Sequence, residues 1–312
     1  MIMIPFVIAS SSQETLSQQI ASNRQTIDNT IRELGAVLLR GFNISTEPQF
    51  QEIVTLLCGQ PLNYMYRSTP RTDLGHGIYT ATEYPAGLSI PLHNENAYQR
   101  DWPLLIMFCC IEPAADKAGQ TPIADTIRVT NRIPKMIQDV FREKEIMYIR
   151  NYHQSVDLPW QVVFQTQSRD MVDKYCEEHE IETVWFPDGA LQTRQICQAF
   201  ANHPVSESCI WFNQAHLFHP SALDGRTRAA LGEMFTEDRF PRNATFGDGS
   251  RIDEEMLAEI RTAFEAEKVL FEWRKGDVLV LDNMRVSHGR TPFKGKRRIL
   301  TAMGRPYSAY IK

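Results

Sequence analysis

His93 and Glu95 stand two residues apart in "SIPLHNENAYQRDW" (89–102), inside an apolar run where both cost free energy to bury unless something holds them. In a strand, residues i and i+2 point to the same face, so the pair brings one imidazole nitrogen and one carboxylate oxygen to the same point, a geometry that chelates a metal. His288 in "VSHGRTPF" also ends a strongly apolar strand and is the best candidate for a third ligand. Two imidazoles and one carboxylate on one face of an ion leave positions open, the arrangement that suits non-heme Fe(II) oxygenases. Taken alone, H-x-E is weak, because a His and a Glu sharing a hydrogen bond at a sheet edge gives the same pattern. Its surroundings strengthen it. Arg297 and Arg298 open the last apolar strand, where a guanidinium can grip a carboxylate bidentately, and "AGQT" (118–121) adds the Thr121 hydroxyl for the same carboxylate. The two arginines face opposite sides of a strand, and a one-residue change of register exchanges them.

The elements that position these residues follow from the apolar pattern. Leu16, Ile20, Ile27, Ile31 and Leu34 recur at helical spacing between residues 13 and 34, with Gly35 as a natural stop. "AVLLRGF" reads as a short buried strand, and residues 88–111 as two strands split by "NENAYQRDWP". Helices are expected at about 169–181 and, after the turn "FGDGS", from Glu254 to Glu267. "DVLVLDNMRVSHGRTPF" reads as a strand entering a loop and "KRRILTAMG" as a closing strand. The stretch from about 150 to 250 is dense in Trp, His, Asn and Gln, and reads as a lid or insertion covering a site. No repeat or Pro/Ser-rich linker marks a boundary, so a single domain over 1–312 is expected, mainly β with flanking helices, as an antiparallel sandwich or barrel.

Composition narrows the partners. The 33 basic and 38 acidic residues are spread along the chain with no basic block to track a phosphate backbone or an anionic lipid surface, so neither nucleic acid nor membrane is expected as a partner. The opening "MIMIPFVIAS" lacks a positive leader and cleavage signature, and no run approaches the roughly 18 apolar residues of a membrane span, which points to a cytoplasmic protein. The six cysteines show no C-x-x-C pair, so neither a disulfide framework nor a zinc knuckle is suggested; alternation sends Cys109 and Cys110 to opposite faces of one strand.

H-x-E, then G-x-T about two dozen residues later, then a distant "DN…HGR…PF.G..R" together resemble the taurine-catabolism dioxygenase (TauD/TfdA) superfamily of Fe(II)/2-oxoglutarate enzymes with a clavaminate-synthase-like fold. Within it the chain is similar to the SyrP-like branch of biosynthetic amino-acid hydroxylases. "GAVLLRGF", "PLHNENAYQRDWP", "AGQTPIAD", "WFNQAHLFH", "FGDGSRI" and "LDNMRVSHGRTPFKGKRRILTAMG" carry the likeness across most of the chain. The resemblance implies a distorted double-stranded β-helix, or jelly roll, with His93, Glu95 and His288 as iron ligands. It places Thr121 and Arg297, with Arg298 as second choice, on the far carboxylate of 2-oxoglutarate. Oxygen is the implied co-substrate, and the implied reaction hydroxylates an unactivated C–H bond while releasing succinate and CO2. The sulfonate-binding arginine of taurine enzymes falls at Thr301 or Ala302, so taurine is not the expected substrate. Glu95 argues against halogenating relatives, which carry a small residue there.

The branch implies an amino acid or amino-acid-derived small molecule, acted on in nonribosomal peptide biosynthesis, with carrier-protein tethering suggested by the branch alone. Desaturation or cyclisation by the same oxidation is the alternative outcome. A zinc hydrolase using the same triad with metal-bound water, or a metal-free binding module, are the readings from other classes. Substrate contacts are sought in Asn96, Tyr98, Gln99 and Arg100, which follow the metal motif, and in His76 and Arg194; a solvated loop with packing residues explains the first four equally well. His216 and His219 have the spacing of a helical metal pair but read as structural. Asp282 and Asn283 either orient a ligand or cap the turn before His288.

Overall fold

Strands that are apolar without interruption, rather than alternating, mark the middle of this fold. The computed structural model describes residues 5–10, 14–62, 66, 68–115, 117–153 and 156–309; residues 1–4 of the apolar opening lie outside them. The chain runs β1 (Phe6–Ala9), α1 (Leu16–Leu34), β2 (Ala36–Arg40), α2 (Glu47–Cys58), β3 (Ile78–Thr80), β4 (Ile90–His93), β5 (Asp101–Glu112) and β6 (Ile123–Asp125). After α3 (Thr126–Arg132) and α4 (Lys135–Lys144) come β7 (Ile146–Tyr152), α5 (Trp160–Val163), α6 (Arg169–Glu178), β8 (Glu182–Trp185), β9 (Leu191–Cys197), β10 (Phe200–Asn202) and β11 (Cys209–Trp211). The remainder is α7 (Ala215–Phe218), α8 (Gly225–Met234), β12 (Arg242–Phe246), α9 (Glu254–Ala266), β13 (Val278–Asp282), β14 (Val286–Arg290) and β15 (Arg298–Ser308).

Two sheets form the jelly roll. The larger has the order β1-β2-β13-β5-β15-β3, antiparallel except for β1 against β2; the smaller is β4-β14-β6. One face of the larger sheet is covered by α1 and α2 through Ile20, Ile27, Ile31, Phe50 and Ile53, and the other faces the smaller sheet through Ile106, Phe108, Leu279 and Ile299 against Ile123 and Val286. Covered on both faces, "VLVLD" of β13 is buried at every residue, so its sequence has no polar alternation to show. Cys109 and Cys110 join the two opposite faces, as alternation requires. Helix α1 starts at a capping box of Thr15 and Gln18 and stops at Gly35 with φ +78°, where a Cβ would lie 2.7 Å from Val286 Cγ2 of β14.

The stretch "DVLVLDNMRVSHGRTPF", expected as a strand entering a loop, holds two strands in different sheets before its loop. Asp282 Oδ1 accepts the N–H groups of Met284 and Arg285, both at 3.0 Å, and this Asx turn carries the chain from β13 across to β14. His288 therefore sits in mid-strand, not at a strand end. Residues 146–246 build a separate four-stranded sheet, β12-β7-β9-β8, and the β10–β11 hairpin, around Tyr148, Trp211 and Phe218. No helix among the described residues is long and apolar enough to cross a membrane.

Candidate metal centre

Strands β4 and β14 pair with His93 directly opposite His288, which places the two rings on one face with centroids 4.5 Å apart. The pairing slips between His288 and Arg290, where a Cβ on Gly289 would sit 2.5 Å from the Ile90 carbonyl; a glycine is the residue that lets the two backbones approach this closely. Strand β4 ends at His93, so Glu95 is not on the strand as expected but in the turn that follows. The turn brings it to the same point: Glu95 Oε2 lies 4.0 Å from His93 Nε2 and 3.6 Å from His288 Nε2, and the three ligand atoms fall within 4.8 Å of one another.

Two of the donors, His93 and Glu95, are held from behind. His93 Nδ1 bonds the Pro91 carbonyl at 2.8 Å, which turns Nε2 toward the cluster. Burial, with the neighbouring His288, lowers the His93 pKa to about 4, so the ring is neutral at pH 7 and its lone pair is available. Burial alone would raise Glu95, but the charge of Arg71 and contacts with both histidines outweigh it and keep the carboxyl well below the usual carboxylate range. Arg71 Nη2 donates to Glu95 Oε2 at 2.9 Å with both side chains almost wholly buried. Asn283 clamps the Glu95 backbone from both sides: its Oδ1 accepts the Glu95 N–H at 2.7 Å and its Nδ2 donates to the Glu95 carbonyl at 2.9 Å. At the end of β13, Asp282 and Asn283 thus divide the expected roles, Asn283 orienting Glu95 and Asp282 capping the turn while bonding His203 at 2.7 Å. Two imidazoles and one anionic carboxylate within reach of a common centre are the donor set that a divalent iron takes, with a face left open.

That open face meets a small cavity lined by His93, His288, Thr121, Arg71, Arg290 and Arg297. Thr121 is buried, and its Oγ1 accepts from Trp273 Nε1 at 3.1 Å, which leaves the hydroxyl proton to be donated elsewhere. Arg297 donates from Nε to the Gly119 carbonyl at 2.7 Å, and no carboxylate among the described residues pairs with it. Burial, with Arg290 nearby, lowers its pKa to about 10, leaving it a cation at pH 7. Gly119 makes room for it, since a Cβ there would lie 2.7 Å from Arg297 Cδ. Arg298 points to the other side of the sheet, 49% exposed, and pairs with Glu47. Arg290, for which the sequence suggested no role, fastens the 84–88 loop over the cavity through the carbonyls of Tyr84, Pro85 and Leu88.

On the other side of His93 and Glu95 lies a larger cavity of about 420 Å³, walled by Ile90, Leu217, Phe218, Gln214, Asp157 and Arg242 among others. Of the expected substrate residues, Tyr98 lines it, with its hydroxyl donated to the Tyr66 carbonyl at 2.9 Å. The rest do not. Asn96, at φ +60°, reverses the chain and is buried with Gln99 away from both cavities. The reversal sends Arg100 outward to Glu180 and the Ile196 carbonyl. Arg194 lies on the exposed face of β9, and His76 is exposed in the turn before β3. His216 is stacked on Phe264 and bonds the Leu92 carbonyl at 3.2 Å, a packing role; His219 lines the larger cavity and bonds Ser221. Arg71, Asp157 and Arg242 had no spacing signal, because each enters from a loop or an insertion strand far from the metal motifs in sequence.

The family model for taurine catabolism dioxygenase TauD, TfdA family, matches residues 9–303. The dapdiamide synthesis protein DdaC of Enterobacter agglomerans is 40% identical over 300 residues, covering 96% of this chain and 90% of that protein. A clavaminate synthase-like protein of Arabidopsis thaliana is 28% identical over 309 residues, covering 95% and 89%. Among solved structures, PvcB of Pseudomonas aeruginosa superposes with a TM-score of 0.55 at 14% identity over 95% of this chain and 84% of that one, a likeness of fold.

Proposed function

The chain belongs to the taurine catabolism dioxygenase TauD, TfdA family, and from that membership we propose that it is an Fe(II)/2-oxoglutarate-dependent oxygenase hydroxylating an amino acid or amino-acid-derived substrate in natural-product biosynthesis. The observation that carries the proposal is the position of His93, Glu95 and His288 between a small cavity that holds the half-buried Arg297 guanidinium and a large, mostly apolar one. Bound iron supplies the oxidation, in which oxygen and 2-oxoglutarate give succinate and CO2 and one oxygen atom goes to a substrate C–H bond.

The chain's own residues do the rest. His93, Glu95 and His288 hold the metal; Asn283 and Arg71 keep the Glu95 carboxylate ionised and aimed. Arg297 takes the far carboxylate of 2-oxoglutarate in its guanidinium, and Thr121 donates its remaining proton to the same group. Arg297 is preferred to Arg298 because Arg298 is turned away and paired with Glu47. The wider cavity takes the substrate, under a wall contributed by residues 157 and 214–242 of the insertion, which excludes water from the metal's open face. On β15, Thr301 shares the face of Ile299 toward the small cavity, whereas Ala302 points to the opposite core, and neither position supplies a cation. The dapdiamide synthesis relative supports a biosynthetic rather than a sulfonate-degrading role. The test is oxygen uptake and succinate formation by the iron-loaded chain with 2-oxoglutarate across a panel of amino acids. Turnover stimulated by one class of amino acid bears the proposal out; oxygen-independent hydrolysis with zinc would replace it.

A further inference from the structure

Among the described residues, the charged side chains lining the larger cavity, apart from His93, Glu95 and His219, are Asp157 and Arg242. They face each other in a two-point pair, Arg242 Nε to Asp157 Oδ2 at 2.6 Å and Nη2 to Oδ1 at 2.8 Å, with both side chains less than a third exposed. Arg242 also bonds the Ser68 carbonyl and lies over the Phe218 ring, so three separate segments are drawn together in one stretch of wall. Asp157 is held at φ +62°, a conformation L-residues rarely adopt, and it accepts the Leu158 N–H at 2.8 Å in that pose. Two opposite charges side by side in an otherwise largely apolar wall match the head of an α-amino acid, which carries the complementary charges two bonds apart.

Resting on the proposed function above, we infer that Asp157 and Arg242 recognise that head, Asp157 receiving the α-ammonium group and Arg242 the carboxyl end. The carboxyl end presents an acceptor oxygen to Arg242 either as a free carboxylate or as the carbonyl of a carrier thioester, and the reacting side chain is left to extend along Ile90 and Phe218 toward the triad.

The experiment is anaerobic calorimetric titration of the full chain, loaded with Fe(II) and 2-oxoglutarate, with the proteinogenic L-amino acids, their N-acetyl derivatives and their N-acetylcysteamine thioesters. Members of the panel should bind, and N-acetylation should weaken them about tenfold or more in the wild type. Asp157→Asn should erase that discrimination, and Arg242→Gln should weaken acid and thioester forms alike. A preference for the free acid identifies an untethered substrate, and a preference for the thioester a tethered one. The double variant Asp157→Arg/Arg242→Asp keeps an ion pair in place, so a purely structural latch predicts wild-type binding, whereas head recognition predicts its loss at an unchanged melting temperature. Wild-type binding by the swapped variant, equal binding of N-acetyl forms, or no binding by any panel member overturns the inference. An Fe(II)–2-oxoglutarate charge-transfer band in the same sample confines that failure to Asp157 and Arg242; its absence fails the proposed function itself.

Discussion

The two cavities on either side of the triad are built by different parts of the chain. The small one is made by jelly-roll residues: Thr121 two residues before β6, His288 in β14, and Arg297 just before β15, with Gly119 and Gly289 letting backbones approach. Strand pairing fixes His288 in β14, and Thr121 and Arg297 stand where the chain enters β6 and β15. The large cavity takes much of its wall from residues 146–246, where a loop, short helices and the first residue of β12 bring Asp157, Leu217, Phe218 and Arg242 together. Helix α8, which contributes Leu231, buries none of its residues. The contrast assigns constant chemistry to the rigid side and substrate choice to the side with fewer buried anchors.

If that division is right, changes on the jelly-roll side weaken 2-oxoglutarate or iron for every substrate alike. The largest such effect short of the ligands is expected from Arg297→Gln. Removing a buried charge partner costs about 2–5 kcal/mol, so the KM for 2-oxoglutarate should rise roughly a hundredfold in steady-state assays, while Arg298→Gln should leave it near wild type. Asn283→Ala frees the Glu95 backbone and should weaken iron binding by roughly ten- to a hundredfold in competition titrations. Gly119→Ala forces a shift of Arg297 and should raise the 2-oxoglutarate KM about tenfold with little change in iron affinity.

A further effect belongs to residues 146–246 and touches stability rather than chemistry. Burial lowers the His216 pKa to about 3, from an unfolded value near 6.5, so the unfolded chain binds the proton first and stability falls as pH drops from about 6.5 toward 3. At pH 5 this amounts to about 2 kcal/mol. Urea unfolding of His216→Gln should show a shallower loss across that window. Equal slopes in both proteins would place the titration on another group.

What the sequence revealed follows the same division. His93 and His288 were legible because strand pairing ties spacing to direction, whereas Glu95, Thr121 and the pair of arginines were picked out by motif spacing and family resemblance. The same logic misplaced detail where the chain leaves the strand: the turn after His93 keeps Glu95 on target but throws Arg100 to the surface, because Asn96 at φ +60° reverses the path. Which arginine faces inward was open in the sequence, since the slip between Arg298 and Ile299 against β5 is a tertiary feature. Arg71 and Asp157 come from loops, where no periodicity relates position to direction, and Arg242 is brought in by insertion packing that no local pattern encodes.

The central claim, that three side chains hold iron beside a 2-oxoglutarate pocket, is tested most directly by anaerobic titration of the metal-free chain with Fe(II) and 2-oxoglutarate while following the visible metal-to-ligand charge-transfer band. The account predicts a band that saturates at one iron per chain, is lost in His93→Ala and His288→Ala, and needs far more 2-oxoglutarate in Arg297→Gln. Bound iron and bound keto acid without the band, or a band that survives both histidine substitutions, would contradict it.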